Sequence, residues 1–142
     1  METIRAYTSI EQSKKLAEIL PLESADACWT NHLFGSILSS WRVESTPPQE
    51  YKSLLDRFAV RGYLIEPAWS LSALLQLLPL GIYDELDGYD YELEIKMIDK
   101  MPRYIRLGDI YHSQFPYDFE KDTLLDNIVE SIIWLNDNNY KF

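Results

Sequence analysis

Cysteine occurs once in the 142 residues, at Cys28, so no disulfide can close within the chain and a secreted scaffold held by disulfides is excluded. Glycine is sparse too. Gly35, Gly62, Gly81, Gly88 and Gly108 are too dispersed for a dinucleotide fingerprint or a phosphate loop, both of which cluster glycines so that backbone N–H groups can approach phosphate. No run approaches the ~18 apolar residues of a membrane helix. The most apolar stretch, residues 73–82, is interrupted by Gln76, Pro79 and Gly81. The opening METIRAYTSIEQSKK has no apolar segment of the kind a signal peptide needs. The expectation is a cytoplasmic protein with no membrane association.

Positive charge is also short. Acids number 23 against 13 bases, for a net charge of −10, and the imbalance is uneven. Residues 1–66 hold 9 acids and 7 bases; residues 67–142 hold 14 acids and 6 bases. Nucleic-acid binding draws on a basic face that displaces phosphate counterions. Here the bases are scattered, with only Arg103 and Arg106 close together in a predicted strand. Direct nucleic-acid binding is therefore not expected, and an acidic half points to a basic partner instead.

Hydrophobic residues make up 46% of the chain, enough for a core in one domain spanning residues 1–142. Thr8 and Glu11 read as a capping box opening a first helix, with Ile10, Ala17 and Leu20 on one face and Pro21 as its stop. Residues 22–45 admit two readings. Trp29, Leu33, Ile37 and Trp41 recur at helical spacing, while Gly35 and the Ser, Thr and Asn content favour strand or irregular structure. Thr46, Pro47 and Gln49 read as N-cap, N1 and N3 of a helix striped by Tyr51, Leu54, Leu55 and Phe58 and ended by Gly62, followed by a short buried strand at Tyr63. Ser70 caps a third helix that Pro79 closes; apolar on nearly every side, it is expected to be the most buried element.

The plainest strand is residues 89–97, where Tyr89, Tyr91, Leu93, Ile95 and Met97 alternate with Asp90, Glu92, Glu94 and Lys96. Tyr89 and Tyr91 are expected in the core. Residues 103–107 return as its partner, and a last helix is expected over residues 119–135 with Asp118 as its cap. The fold class is α+β, helices packed on a small antiparallel sheet.

Two stretches, EQSKKLAEILPLESAD at residues 11–26 and PAWSLSALL at residues 67–75, together with the strand pair and final helix, resemble small uncharacterised proteins of gut-bacterial genomes, prophages and mobile elements. In that comparison residues 22–66 look like a variable insert. The resemblance implies an accessory role in a bacterial or phage setting; it implies no activity and assigns no functional residue.

Chemistry-bearing patterns are few. Cys28 and His32, at a spacing of four, would share a helix face. They give two ligands where zinc needs at least three, or a thiol and base with no required third group. The run from Asp84 to Asp90 fails the register of a calcium loop, and its Gly88 reads as a tight turn. No cofactor, metal or catalytic residue is assigned. The aromatics stand out instead, with ten tyrosines, six of them at positions 83–117. Tyrosine supplies large amphipathic contact area and is enriched at interfaces. The leading expectation is a non-enzymatic interaction protein whose acidic, Tyr-rich C-terminal half meets a basic protein, or a second copy of the chain, through Asp90, Glu92, Glu94, Tyr111 and Tyr117. The alternative is a small hydrolase using Cys28 and His32 or a pair of carboxylates.

Overall fold

The structure, a computed structural model, describes residues 6–34, 37–38, 40–85, 88–96, 100–106, 121 and 123–142, with the side chains of 32–34, 37–38 and 96 outside the description. It is α+β, as expected, and its strands form two antiparallel sheets rather than one. Contacts divide the chain into two compact units, one running to Leu74 and the second over residues 75–141.

In the first unit, β1 (Ala27–Phe34) is flanked by β3 (Arg42–Glu44) and the two-residue β2 (Ile37–Leu38) along one edge and by β4 (Tyr63–Ala68) along the other. Within residues 22–45 the strand reading therefore holds for Ala27–Phe34, Ile37–Leu38 and Arg42–Glu44, and Leu22–Ser24 form a single 3-10 turn. Two helices lie wholly within this unit, α1 (Ile10–Ala17) and α2 (Pro48–Arg57), and α3 (Leu71–Leu77) begins in it.

The α1 capping box is one residue on from the expected one. Ser9 takes the Gln12 N–H and Gln12 returns to the Ser9 N–H. Thr8 is fully buried, and its hydroxyl is engaged elsewhere: it bonds Ser13 Oγ at 2.8 Å and accepts the Trp69 N–H. Trp69, also fully buried, donates its indole N–H to Ser24 Oγ at 2.9 Å, while Asp26 accepts both the N–H and the hydroxyl of Ser70. Ser70 in turn caps α3 by accepting the Ala73 N–H. The two stretches of sequence at residues 11–26 and 67–75 are thus tied by hydrogen bonds at Ser24 and Asp26, beside the buried bond from Trp69 to Thr8, and side-chain polarity there serves the fold. The buried side of α1 is Ser13 and Leu16, continued by Leu20; Ala17 is exposed.

The N-cap of α2 is Pro47, with Pro48 at N1, so the proline pair and not Thr46 starts it. It ends before Gly62. Val60 donates to the Leu55 carbonyl and Ala59 to that of Asp56, a Schellman closure with Ala59 at φ +55°. Only Leu55 of the apolar stripe is buried, and Phe58 is 73% exposed. The β4 strand is half-buried, not buried throughout.

The second unit holds β5 (Gly81–Asp84), β6 (Tyr89–Lys96) and β7 (Met101–Arg106) in that order, and α4 (Leu124–Asp137) packs on β7. Gly88, at φ +74°, donates to the Asp84 carbonyl in the turn between β5 and β6, a backbone conformation that suits glycine. The final helix starts later than expected because Thr123, not Asp118, caps it by accepting the Asp126 N–H. Buried Asn127 holds the chain before it. Its side chain accepts the Lys121 N–H and donates to the Lys121 and Lys100 carbonyls. This helix has seven buried residues, whereas α3, expected to be the most buried element, buries only Leu74. Two turns cut short by Pro79 give α3 no length to be enclosed on all sides.

Candidate functional site

The alternation in β6 takes the expected sense. Tyr91 is buried and Leu93 and Ile95 are half-buried, while Asp90, Glu92 and Glu94 are exposed on the opposite face. Directly paired residues of an antiparallel sheet project to the same side. Asp90 faces Tyr83, Glu92 faces Gly81 and Ile105, and Glu94 faces Arg103. The outer face is therefore three carboxylates on the central strand, with Tyr83 61% exposed on one side and Arg103 on the other. Tyr83 belongs with the expected acids, which a period of two within β6 alone does not reveal.

Tyr89 is a correction. At the strand's first residue it is 47% exposed rather than in the core, and the Arg106 guanidinium lies 3.7 Å from its ring centroid. An aromatic face offered to a cation in this way is favourable while staying open to water. Tyr111 and Tyr117 lie outside the described residues.

Cys28 and His32 sit on β1, not on a helix. Four residues along a strand separate their backbones by roughly 13 Å, so the spacing that would join them on a helix keeps them apart. Cys28 is fully buried, and burial, followed by the Glu44 charge, pushes its thiol up to about 11. It is a protonated thiol at neutral pH, and the nucleophilic form is the thiolate. The same cause, burial and then Glu44, raises the phenol of Tyr51 on α2. Among the described residues no group of three or more His, Cys, Asp or Glu side chains is placed to hold a metal ion, and no helix is long and apolar enough to cross a membrane.

A second feature of the C-terminal unit lies beside β5. An open groove of about 620 Å³ runs between the end of β5 and the end of α4, lined among others by Tyr83, Asp84, Glu85, Trp134, Asn138 and Tyr140. The end of α4 is fixed by its own closure: Tyr140 donates to the Leu135 carbonyl and Asn139, at φ +69°, to that of Asn136. This brings Asn138 and Tyr140 to the wall. Sequence reading passed over the groove because its two halves are some fifty residues apart; the signals available were Asp84 and Glu85 in a run too irregular for calcium, and Trp134 beside the buried stripe of an amphipathic helix. Comparison with protein-family models, with curated proteins and with solved structures gives no match to this chain.

Proposed function

We propose that the protein is a non-enzymatic interaction module that binds a basic protein partner through the outer face of β5–β7, as an accessory factor in the cytoplasm of a bacterial or phage setting. The observation that carries the reading is the exposure of Asp90, Glu92 and Glu94 together on one sheet face beside exposed Tyr83. Carboxylates arranged on a flat face steer a cationic surface toward encounter, and a neighbouring tyrosine offers contact area once it arrives. The Cys28 and His32 form of the hydrolase alternative draws no such support, since Cys28 is buried and distant along β1 from His32.

The test is affinity capture from host lysate with the unaltered chain and with Glu92→Lys/Glu94→Lys, at low and high salt. A stoichiometric basic partner, lost from the variant and weakened by salt while the variant's melting curve remains cooperative, supports the reading. Equal capture by both proteins removes this face from the function.

A further inference from the structure

We propose that the partner protein adds a basic, extended segment to the outward edge of β5, as a further strand of the sheet. This rests on the reading above, which makes the partner basic and seats it on the outer face.

The register shows which main-chain groups that edge offers. Leu93 donates its N–H to the Leu80 carbonyl at 2.9 Å. Main-chain groups alternate in direction along an antiparallel strand, so Ile82 and Asp84 turn toward β6 while Gly81 and Tyr83 turn away from it. No described residue takes the outward N–H or C=O of either. Both residues are exposed, and α4 packs on β7, the opposite edge strand. Such a row is a template for another strand. Other edges carry proline where a donor would stand. Pro102 lies opposite Ile95, and the same alternation turns its missing N–H to the outside of β7. In the first unit the Trp69 carbonyl accepts the Thr8 N–H, which sets Pro67 in the outward row of β4. No proline interrupts β5.

The side chains select the added strand. Two outward residues offer four hydrogen bonds, each of small net value in water, so charge has to contribute. A residue placed opposite Gly81 points to the outer face, where Gly81 has no side chain and Glu92 stands next in line on β6. Two strand spacings set its backbone about 10 Å from that of Glu92, a gap that an arginine or lysine and a glutamate close together. A residue opposite Tyr83 meets a ring that is 61% exposed, with Asp90 beyond it. A cation suits both, and the molecule already sets Arg106 over Tyr89 in this manner. The residue between them points to the other face, beside half-buried Ile82, and is apolar. The segment is therefore basic at alternate positions. An acidic strand is repelled by Asp90 and Glu92. A second copy offering its own β5 brings together two units that each hold 14 acids against 6 bases over residues 75–141.

The experiment is amide hydrogen exchange read by two-dimensional NMR on the full chain, titrating acetyl-Val-Arg-Val-Arg-Val-amide. Without peptide, the amides of Gly81 and Tyr83 should exchange rapidly and that of Ile82 slowly. The peptide should protect Gly81 and Tyr83 saturably, and bind about threefold or more tightly at 10 mM than at 150 mM salt. N-methylation of both arginines removes the donors that meet β5 and should weaken binding about tenfold or more. N-methylation of the central valine, whose N–H points away, should cost less than about threefold. The glutamate counterpart, acetyl-Val-Glu-Val-Glu-Val-amide, should not bind. Glu92→Gln should weaken the arginine peptide about threefold. No protection of Gly81 and Tyr83, or equal loss on methylating arginine or valine, overturns strand addition, and both readouts use the unaltered chain. Binding of the glutamate peptide as tightly as the arginine peptide overturns the choice of a basic segment. Protection of the same two amides that grows with protein concentration alone overturns it in favour of a second copy. Capture abolished by Glu92→Lys/Glu94→Lys, with these amides unprotected by the peptide and by the captured partner, sinks the added strand alone; peptide pairing with unchanged capture sinks the outer-face reading.

Discussion

At the scale of single residues, Cys28 shows how burial decides chemistry. A thiol with no exposed surface and the Glu44 carboxylate nearby loses its proton only near pH 11, against an ordinary value of 9.0. Between those two values the unfolded chain releases the proton and the folded chain keeps it, so stability falls as pH rises through that window and is unaffected below it. Urea unfolding at pH 8 and pH 10.5 should therefore show a steeper loss for the unaltered chain than for Cys28→Ala, by about 1–2 kcal/mol. Parallel losses in the two proteins would mean that the thiol is not shielded. Sequence could mark Cys28 as solitary, but whether it is reactive depends on the strand around it. The pairing with His32 failed for a related reason: a spacing of four reads as adjacency only on a helix. Tyr89 failed differently, because a strand's first residue stands at the rim of its sheet, where alternation no longer guarantees a neighbour to pack against.

At the scale of elements, the strands with one wet face were legible, and the caps of α1, α2 and α3 were legible to within one residue, while that of α4 lies five residues on from Asp118, at Thr123. Spacing of four explains the trouble at residues 27–44. Trp29, Leu33 and Ile37 fall on one helix face, yet they are all odd-numbered and so equally fit one face of a strand; the period cannot choose, and pairing with β3 and β4 does. Caps slipped because two neighbouring residues can each fill the role. Thr8 and Ser9 could both cap α1, and burial assigned Thr8 to Trp69 instead. Helix ends make firm predictions. Ala59 occupies the left-handed position of the α2 closure, where a Cβ is unfavourable, so Ala59→Gly should leave stability unchanged or raise it by up to ~1 kcal/mol. A loss above that size, read from denaturant midpoints, would mean the closure is not formed. Asn127 is the opposite case. Its removal in Asn127→Ala strands the Lys121 and Lys100 backbone groups that it satisfies, and should cost about 1–3 kcal/mol, with faster amide exchange at Lys121. A change near zero would show that water replaces the side chain.

At the scale of the whole molecule, charge is the dominant asymmetry. The first 74 residues carry 9 acids and 7 bases, and residues 75–141 carry 14 acids and 6 bases, so the two units differ by 6 in net charge, −2 against −8. Self-repulsion of this kind costs stability in proportion to how little of it is neutralised locally. Salt measures that directly, since the screening length falls from ~30 Å at 0.01 M to ~3 Å at 1 M. The melting temperature of the unaltered chain should rise on adding sodium chloride from 10 to 300 mM. Glu92→Lys/Glu94→Lys takes the net charge from −10 to −6, since each reversal adds two, and should show a smaller rise. The two positions should contribute unequally. Glu92 faces Gly81 and Ile105, so Glu92→Lys alone should be nearly silent or mildly stabilising at low salt. Glu94 faces Arg103, and Glu94→Lys sets two positive charges opposite each other at a cost of about 0.2–1 kcal/mol. If the melting temperature of the unaltered chain proves indifferent to salt, the carboxylates of the outer face are already compensated where they stand. A face compensated in that way has no field left to steer a basic partner, and the interaction reading would lose its physical cause along with the stability effect.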